Sequence, residues 1–202
     1  MNTAYTHTPS LAEQFWPVAE KTAEQRFVRS AFLAVVGSLL IAVSAKIHVP
    51  FQPVPMTLQT FAILTMAMAY GPRLGMVTIL LYMAEGAAGL PVFSGTPEKG
   101  IGLTYMMGGT GGYLVGHVLA TAICGWGAAR GFDRSIVKSA LVMLAAGAVI
   151  YIPGLLWLGH LYGWDKPILA WGLYPFVLGD LTKVVLAAVS LPLVWRVLGR
   201  RT

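Results

Sequence analysis

Long apolar stretches alternate with short polar, glycine-rich or proline-rich segments along most of the chain. A bilayer core about 30 Å thick is crossed by roughly 20 mostly apolar residues in an α-helix. Six stretches approach this length and end at proline, glycine or charged residues, which interrupt helices. They cover 30–45, 56–70, 74–89, 110–129, 139–160 and 170–195. The pattern predicts an all-α membrane protein with six transmembrane helices.

The second and third stretches are short for transmembrane helices. Gly71, Pro72 and Arg73 separate them. At 1.5 Å per residue, 56–70 and 74–89 reach only about 22–24 Å. Helices of that length cross locally thinned lipid, or they line a cavity rather than facing acyl chains.

The first 29 residues differ from the rest of the chain. They are polar and lack the apolar core of a signal peptide. They are compatible with a short interfacial helix on the cytoplasmic leaflet and equally with a partly ordered tail. The side chains available for the apolar face of such a helix are Leu11, Phe15, Trp16 and Phe27. We therefore expect a cytoplasmic N-terminal segment over 1–29 and a six-helix membrane domain over 30–202.

The composition and the placement of charge support a membrane protein. The 202-residue chain is 56% hydrophobic and 11% charged, whereas soluble domains carry about 25% charged residues. The net charge of +6 follows the positive-inside rule if both termini are cytoplasmic. The basic residues then on the inner side are Lys21, Arg26, Arg29, Arg73, Arg130, Arg134, Lys138, Arg196, Arg200 and Arg201. The charge thus indicates orientation in the plasma membrane and not a nucleic-acid partner.

The sequence carries no motif for ATP hydrolysis, metal binding or covalent catalysis. The nearest approach to a phosphate-binding loop, Gly95 to Gly100, is followed by Ile101 where lysine is required. The single cysteine, Cys124, lies in an apolar run. The histidines, which lack the spacing of metal ligands, are His7, His48, His117 and His160. We therefore expect no cofactor and no metal, and an enzyme is disfavoured.

Two opposite charges, Asp180 and Lys183, interrupt the sixth apolar stretch. Each costs about 2.5–3.5 kcal/mol at the membrane centre on insertion scales, and residues at i and i+3 share one helical face. Ionisable groups within a membrane are functional by default, so we interpret the pair as part of a ligand site. A salt bridge that only holds helices together is the structural alternative.

Three segments on the outer side combine backbone freedom with polar and aromatic groups. They are 49–60, 86–95 and 107–113. Such loops can close over a ligand and offer main-chain polar groups, although each glycine alone is equally compatible with a simple turn. The aromatic side chains available to line an apolar slot are Phe51, Phe93, Tyr113, Trp157 and Trp171.

Small residues recur at every fourth position of the first stretch. They are Ser30, Ala34, Ser38 and Ala42. Small residues on one face let another helix approach closely, because packing must supply the attraction between helices in lipid. The face is either an internal contact or a docking surface for a separate membrane subunit.

Four segments in this order resemble a known family. They are 49–60, 86–93, 109–114 and 175–183. They look like the BioY family of biotin-uptake proteins, the substrate-binding S components of energy-coupling-factor transporters. The resemblance runs from about Ser30 to the C-terminus. It implies a six-helix membrane protein that captures biotin from the outer side and works with a transmembrane coupling subunit and two ABC-type ATPases.

The chemistry of biotin agrees with this resemblance. Its ureido group offers two N–H donors and one carbonyl, beside an apolar ring and a carboxylate. Asp180 would accept hydrogen bonds from the ureido N–H groups, and Lys183 would donate to the ureido oxygen. The other residues that we predict to contact the ligand are Gln59, Phe93, Gly111, Gly112, Tyr113 and Trp157.

Two further classes of function are considered. An intramembrane enzyme acting on a small amphiphile would use Asp180 and Lys183 as acid and base. A structural membrane subunit would use the same pair for packing alone. No nucleophile or metal-ligand set accompanies the pair in the sequence, which argues against the enzyme, and biotin uptake is the function we predict.

Overall fold

The computed structural model describes residues 10–16 and 22–199. Two short strands, β1 (His48–Val49) and β2 (Met56–Thr57), pair antiparallel, and a 3-10 turn covers Phe132–Arg134. The helices are α1 (Leu11–Phe15), α2 (Ala23–Lys46), α3 (Gln59–Ala87), α4 (Gly102–Met106), α5 (Gly111–Ala129), α6 (Ile136–Tyr162), α7 (Ile168–Gly172) and α8 (Tyr174–Gly199). The predicted all-α membrane class is confirmed. His7, Lys21, Arg200 and Arg201 lie outside the described residues.

Helix α2 begins earlier than the first apolar stretch, at Ala23 rather than Ser30. Thr22 caps it, because its side-chain oxygen accepts a hydrogen bond from the Gln25 backbone N–H at 3.3 Å. In return, Gln25 Oε1 accepts from the Thr22 backbone N–H, also at 3.3 Å. This capping box satisfies backbone donors that a helix start leaves free. Hydropathy marks only the apolar part of a helix, so the polar first turns of α2 were not predicted.

Helix α3 contains both short stretches and folds back on itself at Gly71. That residue has φ 76° and ψ −176°, a backbone conformation that favours glycine. Gln59 Nε2 lies 3.2 Å from the Tyr82 hydroxyl, 23 residues away in the chain. A straight helix would separate these positions by about 34 Å. The helix is therefore a hairpin of two antiparallel arms, over 59–70 and 72–87.

Five helical segments of the described residues are long and apolar enough to cross a bilayer. Because one of them is the α3 hairpin, the bundle has six helical arms, which agrees with the six predicted helices. Leu39, Val43 and Leu178 are examples of large apolar side chains that the bundle exposes. Such a surface is unfavourable in water and suits contact with lipid.

Helix α5 packs between α3 and α6 at glycine positions. A Cβ placed on Gly116 would lie 2.6 Å from the Ile150 carbonyl oxygen, and one on Gly125 would lie 2.6 Å from Pro72 Cα. Small residues permit this close backbone approach, which stabilises helix pairs in membranes. These contacts fix α5 at the centre of the bundle.

The polar N-terminal segment does contain a short helix. In α1, Ser10 Oγ accepts from the Glu13 backbone N–H at 3.3 Å, and Glu13 accepts from the Ser10 backbone N–H at 2.8 Å. Leu11 is buried against the bundle while Phe15 is exposed. The division of the chain at residue 29 stays a prediction.

Candidate functional site

A cavity of about 60 Å³ lies where segment 49–60, the loop after α3 and helices α5, α6 and α8 meet. Segment 49–60, which contains β2, is called the lip below. The lip contributes Val54 to Thr57, Gln59 and Thr60 to the cavity wall, and the turn after α3 contributes Phe93 and Ser94. The residues that the sequence predicted as ligand contacts and that line this cavity are Gln59, Phe93, Tyr113, Asp180 and Lys183. Residues distant in sequence are therefore brought to one site.

The two intramembrane charges pair with each other on α8. Lys183 Nζ lies 2.8 Å from Asp180 Oδ1, and the exposed fractions of their side chains are 12% and 19%. The pair belongs to a single helix, so it does not itself link two helices. Both side chains reach the cavity wall.

Tyr151 on α6 completes this polar group. Its hydroxyl donates to Asp180 Oδ2 at 2.5 Å, and the Asp180 carboxylate thus accepts from one donor at each oxygen. A carboxylate oxygen can accept a further hydrogen bond, and an ammonium group has three donors. The pair therefore keeps hydrogen-bonding capacity for a polar ligand at the cavity wall.

Phe93 is buried at the cavity wall and packs against two tyrosine rings. Its ring stacks on Tyr105 with centroids 4.9 Å apart and meets the edge of Tyr82 at 5.4 Å. The Tyr105 hydroxyl donates to the Ser94 carbonyl at 2.8 Å, and burial raises the pKa of Tyr105. Gln59 joins the same group through the Tyr82 hydroxyl. Phe93 and Tyr105 thus supply an aromatic lining to the cavity that the polar pair also lines.

Lys46 at the end of α2 holds the loop that carries Phe93 through hydrogen bonds. Its Nζ donates to the Phe93 carbonyl at 2.8 Å, the Thr96 carbonyl at 3.0 Å and the Thr96 hydroxyl at 2.8 Å. All three donors of the ammonium group are used. In this geometry Lys46 is a support for the loop rather than a free cation.

Three predicted ligand residues lie outside the cavity lining, at the contact between α5 and α6. A Cβ on Gly111 would lie 3.0 Å from Trp157 Nε1, and one on Gly112 would lie 2.2 Å from the Pro153 carbonyl oxygen. Trp157 Nε1 donates to the Gly108 carbonyl at 2.8 Å. In the structure Gly111, Gly112 and Trp157 therefore position α5 against α6.

The face of small residues on α2 is largely internal. Ala34 and Ser38 are buried, and the Ser38 hydroxyl lies 2.8 and 2.9 Å from the two carboxylate oxygens of Glu85 on α3. Ser30 and Ala42 are half-buried. Of the two interpretations of this face, the structure places Ala34 and Ser38 in the internal contact, away from the surface that a partner would reach.

Sequence reasoning missed Tyr151 and His117. His117 is buried at the cavity wall, and its Nδ1 has no hydrogen-bond partner among the described residues. The spacing from Tyr113 to His117 is i to i+4, which puts both on one face of α5, so this signal was present. Tyr151 sits in an apolar run that shows no comparable signal. Within the described residues, no cluster of three metal-ligating side chains occurs.

Comparison with known proteins agrees with this arrangement. The BioY family model matches residues 14–200. "Probable biotin transporter BioY" of Pyrococcus horikoshii is 37% identical over 150 residues, covering 74% of this chain and 86% of the relative. "Biotin transporter BioY" of Thermotoga maritima is 34% identical over 162 residues, covering 80% and 93%.

A solved structure shows the same fold. "Crystal structure at 2.1 A of the S-component for biotin from an ECF-type ABC transporter" matches with a TM-score of 0.73 at 22% identity, over 88% of this chain and 95% of that chain. The described residues form a membrane helical bundle with a cavity that combines apolar walls and a few polar groups. The chain belongs to the BioY family.

Proposed function

We propose that this chain is the biotin-binding component of a biotin-uptake system and that it holds biotin in the cavity beside Asp180 and Lys183. The observation that carries the proposal is the half-buried ion pair on the wall of a cavity in a member of the BioY family. Ligand sites of this kind combine apolar walls with a few convergent polar groups.

The ureido group of biotin matches the polar pair. Asp180 accepts from the ureido N–H groups, and Lys183 donates to the ureido oxygen. Tyr151 holds the Asp180 carboxylate in position. Hydrogen bonds that involve a charged partner are stronger than those between neutral groups, so this end of the ligand supplies orientation.

The ring and the chain of biotin would meet the aromatic and apolar wall. Phe93, Tyr113 and Phe176 line the cavity, and Phe51 packs edge-on against Phe176 at 6.0 Å. Gly111, Gly112 and Trp157 contribute by fixing the helix that carries Tyr113.

Binding requires the cavity to enlarge. Small-molecule sites usually measure about 300–1,000 Å³, whereas this cavity measures about 60 Å³. The loop around Phe93 and the lip around Met56 line the cavity, and both lie outside long helices. Outward movement of this loop, with release of the Lys46 contacts, would admit the ligand.

The energy for transport would come from partners. We infer a transmembrane coupling subunit and ABC-type ATPases, because the sequence itself lacks a phosphate-binding loop. Family membership supports this assembly. From the positive-inside pattern we infer that both termini lie on the cytoplasmic side of the plasma membrane. Ser30 and Ala42 stay candidates for the contact with the coupling subunit.

The alternative functions find no support. The family is one of biotin transporters, so an intramembrane enzyme or a purely structural subunit is not needed to explain the ion pair.

Thermal unfolding of the purified chain in detergent tests the proposal. Saturating biotin should raise the free energy of unfolding by about 2.7 kcal/mol at a concentration 100 times the dissociation constant. Valerate, which has the same carboxylate chain without the ureido ring, is the control and should leave the melting temperature unchanged. The absence of a shift with biotin would contradict the proposal.

A further inference from the structure

A second cavity, of about 560 Å³, lies between α1, the start of α2 and the bend of α3. Arg26, Arg29 and Arg73 line it. Arg29 lies 17 residues before Lys46, about 26 Å along α2, and Lys46 fastens the loop beside the biotin cavity. The arginine cavity is therefore a separate site at the other end of the bundle.

Arg29 is unusual because it is charged, 5% exposed and only partly hydrogen-bonded. One terminal nitrogen donates to the Ala12 carbonyl at 2.6 Å, while Nε has no hydrogen-bond partner in the described part of the chain. No carboxylate of the described residues forms an ion pair with Arg26, Arg29 or Arg73. A buried charge without an ion-pair partner is costly, so the site favours an anion.

One carboxylate does line this cavity. Glu13 accepts from the Ser10 backbone N–H at 2.8 Å and caps α1. With three guanidinium groups against this single carboxylate, the wall keeps a positive charge.

An apolar groove of about 540 Å³ adjoins the arginine cavity. The two share Ala12 and Tyr70. The groove is lined mainly by large apolar side chains, which include Leu11, Phe15, Leu33, Leu191 and Val194. A cationic cavity that opens onto an apolar groove at the end of a membrane bundle fits a ligand with an anionic head and a hydrocarbon tail.

We propose that this pair of cavities binds a phosphate-bearing anion, the headgroup of an anionic phospholipid whose acyl chain lies in the groove. Guanidinium groups match phosphate oxygens in geometry and charge. Basic side chains at a membrane surface attract anionic lipid. The bound lipid would join α1 to the bend of α3, since residues of both line the arginine cavity.

Thermal unfolding of the full chain in detergent, with increasing short-chain phosphatidylglycerol, tests this site. The melting temperature should rise with phosphatidylglycerol and stay unchanged with phosphatidylcholine of equal chain length. Inorganic phosphate is a third arm. A matching rise in melting temperature with phosphate alone would assign the site to free phosphate. A rise with phosphatidylglycerol but none with phosphate would assign it to the lipid.

Paired arginine variants show whether the effect belongs to this cavity. Arg26 and Arg73 are exposed, so Arg26→Gln with Arg73→Gln should fold and should weaken phosphatidylglycerol binding by about 25-fold, roughly fivefold for each arginine. Arg130→Gln with Arg196→Gln removes the same charge at exposed positions outside the cavity and should change binding less than twofold. Equal weakening in both double variants, or no response to phosphatidylglycerol or phosphate, would overturn the proposal.

Discussion

At the scale of single residues, the Asp180 carboxylate is the centre of the proposed site. It is joined to Lys183 on its own helix and to Tyr151 on α6. Insertion into lipid makes each of these polar groups costly. A ligand that uses their remaining hydrogen-bonding capacity gives a physical reason for keeping them in the bundle.

Tyr151→Phe removes the hydroxyl that positions Asp180 and leaves the ring. We expect biotin affinity to fall about tenfold, since a hydrogen bond to a charged group contributes about 1.5 kcal/mol at the low end. Isothermal titration calorimetry in detergent measures the change. Tyr162→Phe, at an exposed ring for which no hydrogen bond is described, is the control and should bind as the parent does. Unchanged biotin affinity in Tyr151→Phe would show that the Tyr151 hydroxyl does not contribute to the site.

The sequence revealed some site residues better than others. Asp180 and Lys183 were visible because two charges in an apolar helix are physically costly. Tyr151 gave no such signal, since a tyrosine is unremarkable in a membrane helix. The contact of Gly112 with the ligand stays a prediction, and the structure shows that its lack of a side chain admits the α6 backbone. A glycine in a sequence does not show whether a ligand or a helix approaches it.

At the scale of elements, helix packing through α5 positions the cavity wall. Tyr113 and His117 face the cavity from α5, while Gly116 on the same helix contacts α6. The position of the ligand residues therefore depends on close backbone approach between these two helices.

Gly116→Ala should destabilise the bundle. The added methyl group would lie 2.6 Å from the Ile150 carbonyl oxygen, and overpacking of this kind costs about 1–3 kcal/mol. The melting temperature in detergent measures the loss. Gly147→Ala on α6 is the matched control, because no atom of another element lies within 4 Å of the position that its added methyl group would take. Alanine stabilises a helix by about 0.5–1 kcal/mol relative to glycine. A Gly116→Ala protein as stable as Gly147→Ala would contradict this packing.

Hydropathy located the elements but not all of their bounds. The break at Gly71 was predicted from glycine and proline, and the hairpin confirms it. The early start of α2 was missed because capping by Thr22 and Gln25 involves polar residues. The contacts of Lys46 with the Phe93 loop join residues about 50 positions apart, a distance over which local patterns carry no information.

At the scale of the whole molecule, the orientation that we propose in the membrane rests on the distribution of charge. The end of the bundle with Arg26, Arg29 and Arg73 should face the cytoplasm. The proposed biotin cavity and the exposed loop at Glu98 should face outward. The outward apolar surface of the bundle suits lipid whichever end faces the cytoplasm. The basic residues are therefore the basis for choosing between the two orientations.

Cysteine labelling in intact cells tests the orientation. Cys124 is buried, so a membrane-impermeant maleimide should leave the parent protein unlabelled. We expect Glu98→Cys, at an exposed loop position, to be labelled from outside. Val137→Cys, exposed near the start of α6, should be labelled only after the membrane is permeabilised. The reverse pattern would invert the topology.

The central claim is that biotin is held through Asp180, and calorimetric titration of biotin into Asp180→Asn tests it most directly. The substitution keeps the size of the side chain and removes its charge, so affinity should fall by about 10- to 100-fold, as loss of a charged hydrogen bond predicts. Asp165→Asn, the same change at a side chain 73% exposed, should bind biotin as the parent does. Equal affinity of Asp180→Asn and the parent would contradict the account.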